Sequence, residues 1–256
     1  MPHCTIYDTH ADKLAIFDTE PFGSQISIGR SSQCTISLKG VVNNTISGTQ
    51  LLLQRTAFGW KIRNVGRASM YHNCIKVEEK ELNEGDVLRF GQLFFAYGPL
   101  AQPSAFDLAW TCETEDGSTS AALWPGLNSV GASRDNSVTV RTPDVSRVHA
   151  FVKVDGNDVT IRGASLGNAT LVNGEDIGER EVTLRPNDEI QLADTTIRLL
   201  RTVRLSQQTA PVQRSVRPLQ SAANSHSLNN QLFMYLVLGV FTAVLTLLVF
   251  LALRLL

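Results

Sequence analysis

Ser146-Arg147-Val148-His149, preceded by Gly131 and followed by Asn168 and then Asn173-Gly174, is the stretch whose reading decides the fold. Its basic and polar groups sit at turns between short apolar runs. A weaker copy of the layout fills the first half of the chain, starting at Ile28-Gly29-Arg30 and reaching Ser47. Gly29 and Gly131 stand 102 residues apart, as do Asp86 and Asp188, whereas Ser47 and Ser146 are separated by 99. The difference falls in one loop, residues 39–45 in the first copy and 141–145 in the second, where insertions are tolerated. The chain therefore reads as one module used twice.

Outward from that stretch, short runs rich in β-branched and aromatic residues alternate with turn formers. In the first half they cover residues 5–7, 14–17, 25–28, 35–38, 49–54, 60–63, 74–77, 87–90 and 93–97. In the second they cover residues 106–113, 120–124, 137–140, 148–154, 159–162, 170–172, 189–192 and 196–200. Spacing this regular, without a long helical period, predicts an all-β sandwich or barrel in each half. Glu84-Gly85-Asp86 and Phe58-Gly59 supply turn chemistry between runs. Gly98-Pro99-Leu100-Ala101-Gln102-Pro103-Ser104 has the composition of a short linker. The expected domains are residues 1–98 and 105–201, with a linker at 99–104.

A chain of 256 residues accommodates two domains of about 100 residues, each large enough to bury a core. The net charge of −1 averages two unlike regions. All 24 acidic residues precede residue 195, where they meet 17 of the 23 basic ones, so the head is acidic. Such a head repels nucleic acid. The charged residues beyond it are Arg198, Arg201, Arg204, Arg214, Arg217 and Arg254. Cys4, Cys34, Cys74 and Cys112 are isolated and suit small buried hydrophobes in a reducing compartment better than a zinc site or a disulfide framework. No second metal-binding side chain stands at useful spacing from His72. Met1-Pro2-His3-Cys4 lacks the basic start and apolar run of a secretory signal, so Asn43-Asn44-Thr45 and Asn168-Ala169-Thr170 read as chance matches or turn chemistry rather than glycosylation sites.

Residues 202–230 are rich in Ser, Gln, Asn, Ala and Pro, too polar to offset their ordering entropy, and read as a flexible tether. Residues 231–253 then carry no formal charge. As a helix at about 1.5 Å per residue they span roughly 34 Å, against a hydrocarbon core near 30 Å, and predict one transmembrane helix. Arginines on the amino-terminal flank without opposing acids predict that the head stays on the cytoplasmic side.

Both halves resemble forkhead-associated domains over residues 14–98 and 119–200, the second more strongly. The resemblance rests on Gly131, Ser146-Arg147-Val148-His149, Asn168 and Asn173-Gly174. It implies a β-sandwich that binds phosphothreonine peptides through loops at one end. Ser146 would donate its hydroxyl to a phosphate oxygen, Arg147 would supply a cation beside it, and Asn168 would bond the peptide backbone. His149, with Gly131, would brace the loops, and Asn173-Gly174 would make a turn that needs permissive backbone angles. A phosphate of charge about −1.5 to −2 needs several such fixed donors. The family's Arg after the first glycine is Ala132 here, with Arg134 two residues later as a further cation. The first copy keeps Gly29-Arg30 and Ser47, a possible anion site, but has Gly48 and Gln50 where the family has Arg and His. It lacks the bracing imidazole and the peptide-binding Asn.

Neither a nucleophile with an ordered base nor a paired carboxylate motif nor a Gly-rich loop before a helix is found, so no enzyme and no cofactor are expected. Two functions fit these residues. One is a membrane-anchored adaptor that captures protein partners bearing phosphothreonine, with a Ser/Thr kinase upstream. The other is a structural subunit of a membrane assembly, such as a secretion apparatus, whose degenerate domains pack without phosphate.

Overall fold

The structure, a computed structural model, describes residues 3–40, 45–112 and 117–204. The expected transmembrane helix at 231–253 and the tether beyond residue 204 lie outside the described residues, as do Asn43 and Asn44. Among the described residues no helix is long and apolar enough to cross a membrane.

The first half folds into β1 (His3–Tyr7), β2 (Lys13–Asp18), a single 3-10 turn (Glu20–Phe22), β3 (Gln25–Gly29), β4 (Ile36–Ser37), β5 (Leu51–Thr56), β6 (Gly59–Asn64), β7 (Met70–His72), β8 (Ile75–Val77), β9 (Glu79–Glu81), β10 (Val87–Phe90) and β11 (Leu93–Tyr97). The second half gives β12 (Phe106–Cys112), β13 (Gly117–Ala122), β14 (Gly126–Gly131), β15 (Val138–Thr139), β16 (Ala150–Asp155), β17 (Asp158–Gly163), β18 (Thr170–Val172), β19 (Glu175–Asp176), β20 (Val182–Leu184), β21 (Glu189–Leu192) and β22 (Thr195–Arg201). The sheets run β2-β1-β11-β10-β7-β8 and β4-β3-β5-β6-β9 in the first half. In the second they run β13-β12-β22-β21-β18-β19 and β15-β14-β16-β17-β20. Every strand of one half thus has its counterpart eleven strands later, and the repeat read from the glycine spacing is a repeat of topology.

Period-two burial builds each sandwich. Along β5 and β16 alternate residues are buried and turn their partners outward, as the pleat requires. Ile26, Leu51, Leu53, Ile62, Leu88 and Phe95 centre the first core, and Val130, Val152, Ile161, Ile190, Ile197 and Leu199 the second. Each such side chain contributes about 1.5–3 kcal/mol by leaving water. Even the polar stitches recur. Ser27 Oγ accepts from the Thr35 amide at 2.9 Å, and Ser129 Oγ from the Ser137 amide at 3.1 Å.

Several strands are absent from the expected set: Met70–His72, Glu79–Glu81, Gly126–Gly131, Glu175–Asp176 and Val182–Leu184. Glu79–Glu81 and Val182–Leu184 are three-residue edge strands, the first blunted by charged residues and both too short for a period-two pattern to stand out. Gly126–Gly131 reads as a loop because it carries Asn128 and Ser129, yet both are buried and hydrogen-bonded. Cys74, expected to open a strand, instead sits in the turn before Ile75 at φ 63°. Its counterpart is Gly174 at φ 84°, so a left-handed position that suits glycine is occupied here by a larger residue.

The halves pack on each other. Trp124, 3% exposed, stacks on Phe94 with ring centroids 4.7 Å apart and meets the edge of Tyr7 at 5.2 Å. Ala96 and Ala101 complete this cluster, so the Pro/Gly linker is partly buried between the halves and not a free spacer. Across the same seam Ala122 N donates to Thr9 O at 2.8 Å and Cys74 Sγ to Leu127 O at 3.1 Å. Arg204, read from sequence as one of the topology-setting arginines, pairs with Asp107 and bonds the Ser104 carbonyl at the base of the second sandwich. Cys4 and Cys34 are buried free thiols and Cys74 a half-buried one. Burial pushes the Cys4 thiol far up, which keeps it protonated and inert.

Candidate site at the loop end of the second sandwich

Three loops converge at one end of the sandwich: the first follows β14, the second joins β15 to β16, and the third follows β17. The first closes on the second because residue 131 is glycine. A Cβ there would lie 2.6 Å from the Arg147 carbonyl oxygen and 2.7 Å from that of Ser146, closer than side-chain carbons approach. With that space free, Ala132 N donates to Ser146 O at 3.0 Å and Ser133 N to Arg147 O at 3.1 Å. Asn136, 2% exposed, completes the lock by donating from Nδ2 to Ser133 O at 3.0 Å and Arg147 O at 2.6 Å.

His149 is fully buried under these loops. The Ser146 amide donates to its Nδ1 at 3.1 Å, so the proton belongs on Nε2, which donates to Ala169 O at 3.1 Å. One neutral ring thereby joins the second loop to the third. Burial holds its pKa below the ordinary imidazole value, against the opposing pull of the Ala169 bond.

Ser146 and Asn168 are brought together at the mouth. Ser146 Oγ lies 2.8 Å from Ser165 Oγ and 3.4 Å from Asn168 Nδ2, which also donates to the Asp144 carbonyl. Ser165 Oγ in turn accepts from the Asn168 amide at 3.0 Å. Asn168 Oδ1 has no partner among the described residues and is free to accept a backbone N–H from an extended ligand. Arg134 and Arg147 are exposed, and neither pairs with a carboxylate among the described residues. Ala132 is partly buried against the core and contributes no cation. The mouth thus presents a hydroxyl pair and a carboxamide, and the loops that form it carry the exposed Arg134 and Arg147, a set of groups suited to an anionic peptide.

Asn173 and Gly174 lie in the β18–β19 turn, with φ of 51° and 84°. Asn173 braces β21 there, donating to Asp188 Oδ1 and accepting from the Glu189 amide, both at 3.0 Å. They support the scaffold and add nothing to the mouth.

In the first sandwich, which lacks the bracing imidazole, the brace survives in another chemistry. Gln50 is fully buried. Its Oε1 accepts from the Ser47 amide at 3.0 Å, while Nε2 donates to Asn64 Oδ1 at 2.7 Å and Ala68 O at 2.8 Å. A buried Gln satisfied at both ends serves as the imidazole does. Ser47 Oγ accepts from the Arg67 amide at 2.8 Å, and Arg30 is exposed. Cys34 stands at the position of Asn136 and donates from Sγ to Gly48 O at 3.1 Å. Ser165 and Asn136 went unmarked in the sequence, and Gln50 read there only as the loss of the family's histidine. Asn136 and Cys34 share the 102-residue offset of the glycines, which is the signal that marks them.

No group of His, Cys, Asp or Glu among the described residues is arranged to hold a metal ion.

The FHA domain family model matches residues 26–91 and 128–193, and the chain belongs to that family, carrying two FHA domains in tandem. Among solved structures, the chain is similar to one described in a structural and functional analysis of phosphothreonine-dependent FHA domain interactions. The identity is 24% over 40% of this chain and 100% of that chain, with a TM-score of 0.35. The FHA domain of a Chlamydia trachomatis protein is also 24% identical, over 39% of this chain and 100% of that one, with a TM-score of 0.35. The FHA domain of an Arabidopsis thaliana hypothetical protein is 23% identical over 41% and 90%, again with a TM-score of 0.35. A comparison with the curated proteins gave no match.

Proposed function

We propose that the chain is a non-catalytic adaptor, anchored in a membrane by residues 231–253 with its FHA domains on the cytoplasmic side. Its second FHA domain captures a protein segment bearing phosphothreonine. Ser146 donates to a phosphate oxygen, Arg147 and Arg134 supply positive charge, and Asn168 bonds the ligand backbone. The observation that carries this reading is the convergence of Ser146, Ser165 and Asn168 within hydrogen-bonding distance at a mouth flanked by two exposed arginines without carboxylate partners. An uncharged run of 23 residues supports the anchor, and the arginines before it support the orientation.

A second reading, a structural subunit whose FHA domains pack without phosphate, draws on Ala132. Losing a charge-assisted bond of about 1.5–3 kcal/mol weakens phosphate affinity roughly tenfold to a hundredfold. Fluorescence anisotropy of the protein with a phosphothreonine peptide library and its unphosphorylated twin separates the two. Preference for the phosphorylated set supports the adaptor, and equal binding together with self-association in the absence of peptide supports the structural subunit.

A further inference from the structure

The loop that carries Arg134 is held from two sides. From within the second domain, Asn136 and the Ala132 and Ser133 amides fix its ends. Between those ends lie Arg134 and Asp135, whose side chains are exposed and whose carbonyls point at the first domain. Gln92, in the β10–β11 turn, donates from Nε2 to Arg134 O at 2.8 Å. Arg89, on β10, donates from Nη2 to the next carbonyl, Asp135 O. Two donors from one hairpin thus catch two successive carbonyls of one loop.

Arg89 is committed to this contact. It is 5% exposed, and a buried guanidinium is costly unless its donors are satisfied. Its remaining contacts are the Gly91 carbonyl, reached by Nη1 at 2.7 Å, and the face of Tyr71, 4.2 Å below the guanidinium carbon. No carboxylate pairs with it among the described residues. The second domain has Gln191 and Asp194 at the positions of Arg89 and Gln92, so the device belongs to one copy.

We propose that Arg89 and Gln92 are positioning residues for the recognition loop at 132–136, so that the first FHA domain acts as a built-in brace that presents Arg134 to the ligand of the second. This rests on the phosphopeptide reading of the second domain. It gives the first domain a role that needs no ligand of its own. It also explains how a cation two residues beyond Ala132 serves the site: a loop pinned at the Arg134 carbonyl loses less freedom when its side chain engages an anion.

The test uses the full chain as wild type, Gln92→Glu and Arg89→Lys, with Gln92→Glu as the milder change because residue 92 is only half-buried in a turn. Amide hydrogen exchange is read at residues 132–136 and, for reference, in β16 and β17. Phosphothreonine-peptide affinity is read by anisotropy, with and without Arg134→Ala. The brace predicts at least tenfold faster exchange confined to the loop. It also predicts a roughly five- to tenfold loss of affinity, the worth of one hydrogen bond, that disappears when Arg134 is already absent. Unchanged loop exchange overturns the brace, as does acceleration spread evenly through the domain, or faster loop exchange with unaltered affinity in a chain that prefers phosphorylated peptide. If the wild type shows no phosphate preference, the phosphopeptide reading falls while loop exchange alone still decides the brace.

Discussion

Gln50 and His149 occupy equivalent positions 99 residues apart and brace their loops alike: each accepts from the amide three residues earlier, Ser47 or Ser146, and donates to a carbonyl of the next loop, Ala68 or Ala169. The fold requires a buried group with an acceptor at one end and a donor at the other, and either an imidazole or a carboxamide meets that requirement.

Gln50 fits because residue 66 is glycine. A Cβ at residue 66 would fall 2.3 Å from Gln50 Oε1. Gly66→Ala is expected to displace the carboxamide, leave the Ser47 amide unpaired and cost about 1–3 kcal/mol. Gly167→Ala, with open space around it, is the control and should be close to neutral. Urea unfolding of the two variants gives the comparison.

The His149 brace is sensitive to pH and the Gln50 brace is not. Burial holds the His149 pKa below 6.5, so as pH falls the unfolded chain takes up this proton first. The stabilisation from neutral His149 is therefore complete above about pH 6.5 and declines as pH falls through that value toward the lower folded pKa. His149→Gln should flatten this dependence and cost less stability than His149→Ala, which removes both bonds and costs about 2–4 kcal/mol. Chemical denaturation at a series of pH values from 7.5 downward, with the difference taken between wild type and His149→Gln, isolates the effect.

Trp124 joins the two domains. Truncation to alanine removes its stacking on Phe94 and its edge contact with Tyr7, a loss of about 3–5 kcal/mol. Because each sandwich keeps its own core, the expected outcome is two separable melting transitions in place of a coupled one, measured by scanning calorimetry.

By the family resemblance Ala132 stands where a phosphate-gripping arginine is expected, and its backbone is already locked to Ser146. Ala132→Arg should strengthen phosphothreonine-peptide binding about tenfold to a hundredfold and steepen its salt dependence. Titration by anisotropy at two ionic strengths reads both effects.

The repeat was legible because backbone geometry constrains sequence most where side chains cannot fit. Gly29 and Gly131 are glycines because the neighbouring loop carbonyls stand within 2.2 Å and 2.6 Å of where a Cβ would lie. Ser146, Arg147 and Asn168 were singled out by the resemblance to forkhead-associated domains. Gln50 was not, since the requirement is for a bonding pattern that two unlike side chains satisfy. Nor were the Trp124 seam and the Arg89 and Gln92 contacts, because a contact between domains leaves no periodicity in either.

The central claim is that the second FHA domain reads phosphate through Ser146. The most direct test is anisotropy of one phosphothreonine peptide and its unphosphorylated twin against wild type and Ser146→Ala. The account predicts tighter binding of the phosphorylated peptide and a loss of about tenfold or more on removing the hydroxyl, the range of one charge-assisted hydrogen bond. Equal binding of the two peptides, or an affinity indifferent to Ser146→Ala, would contradict it.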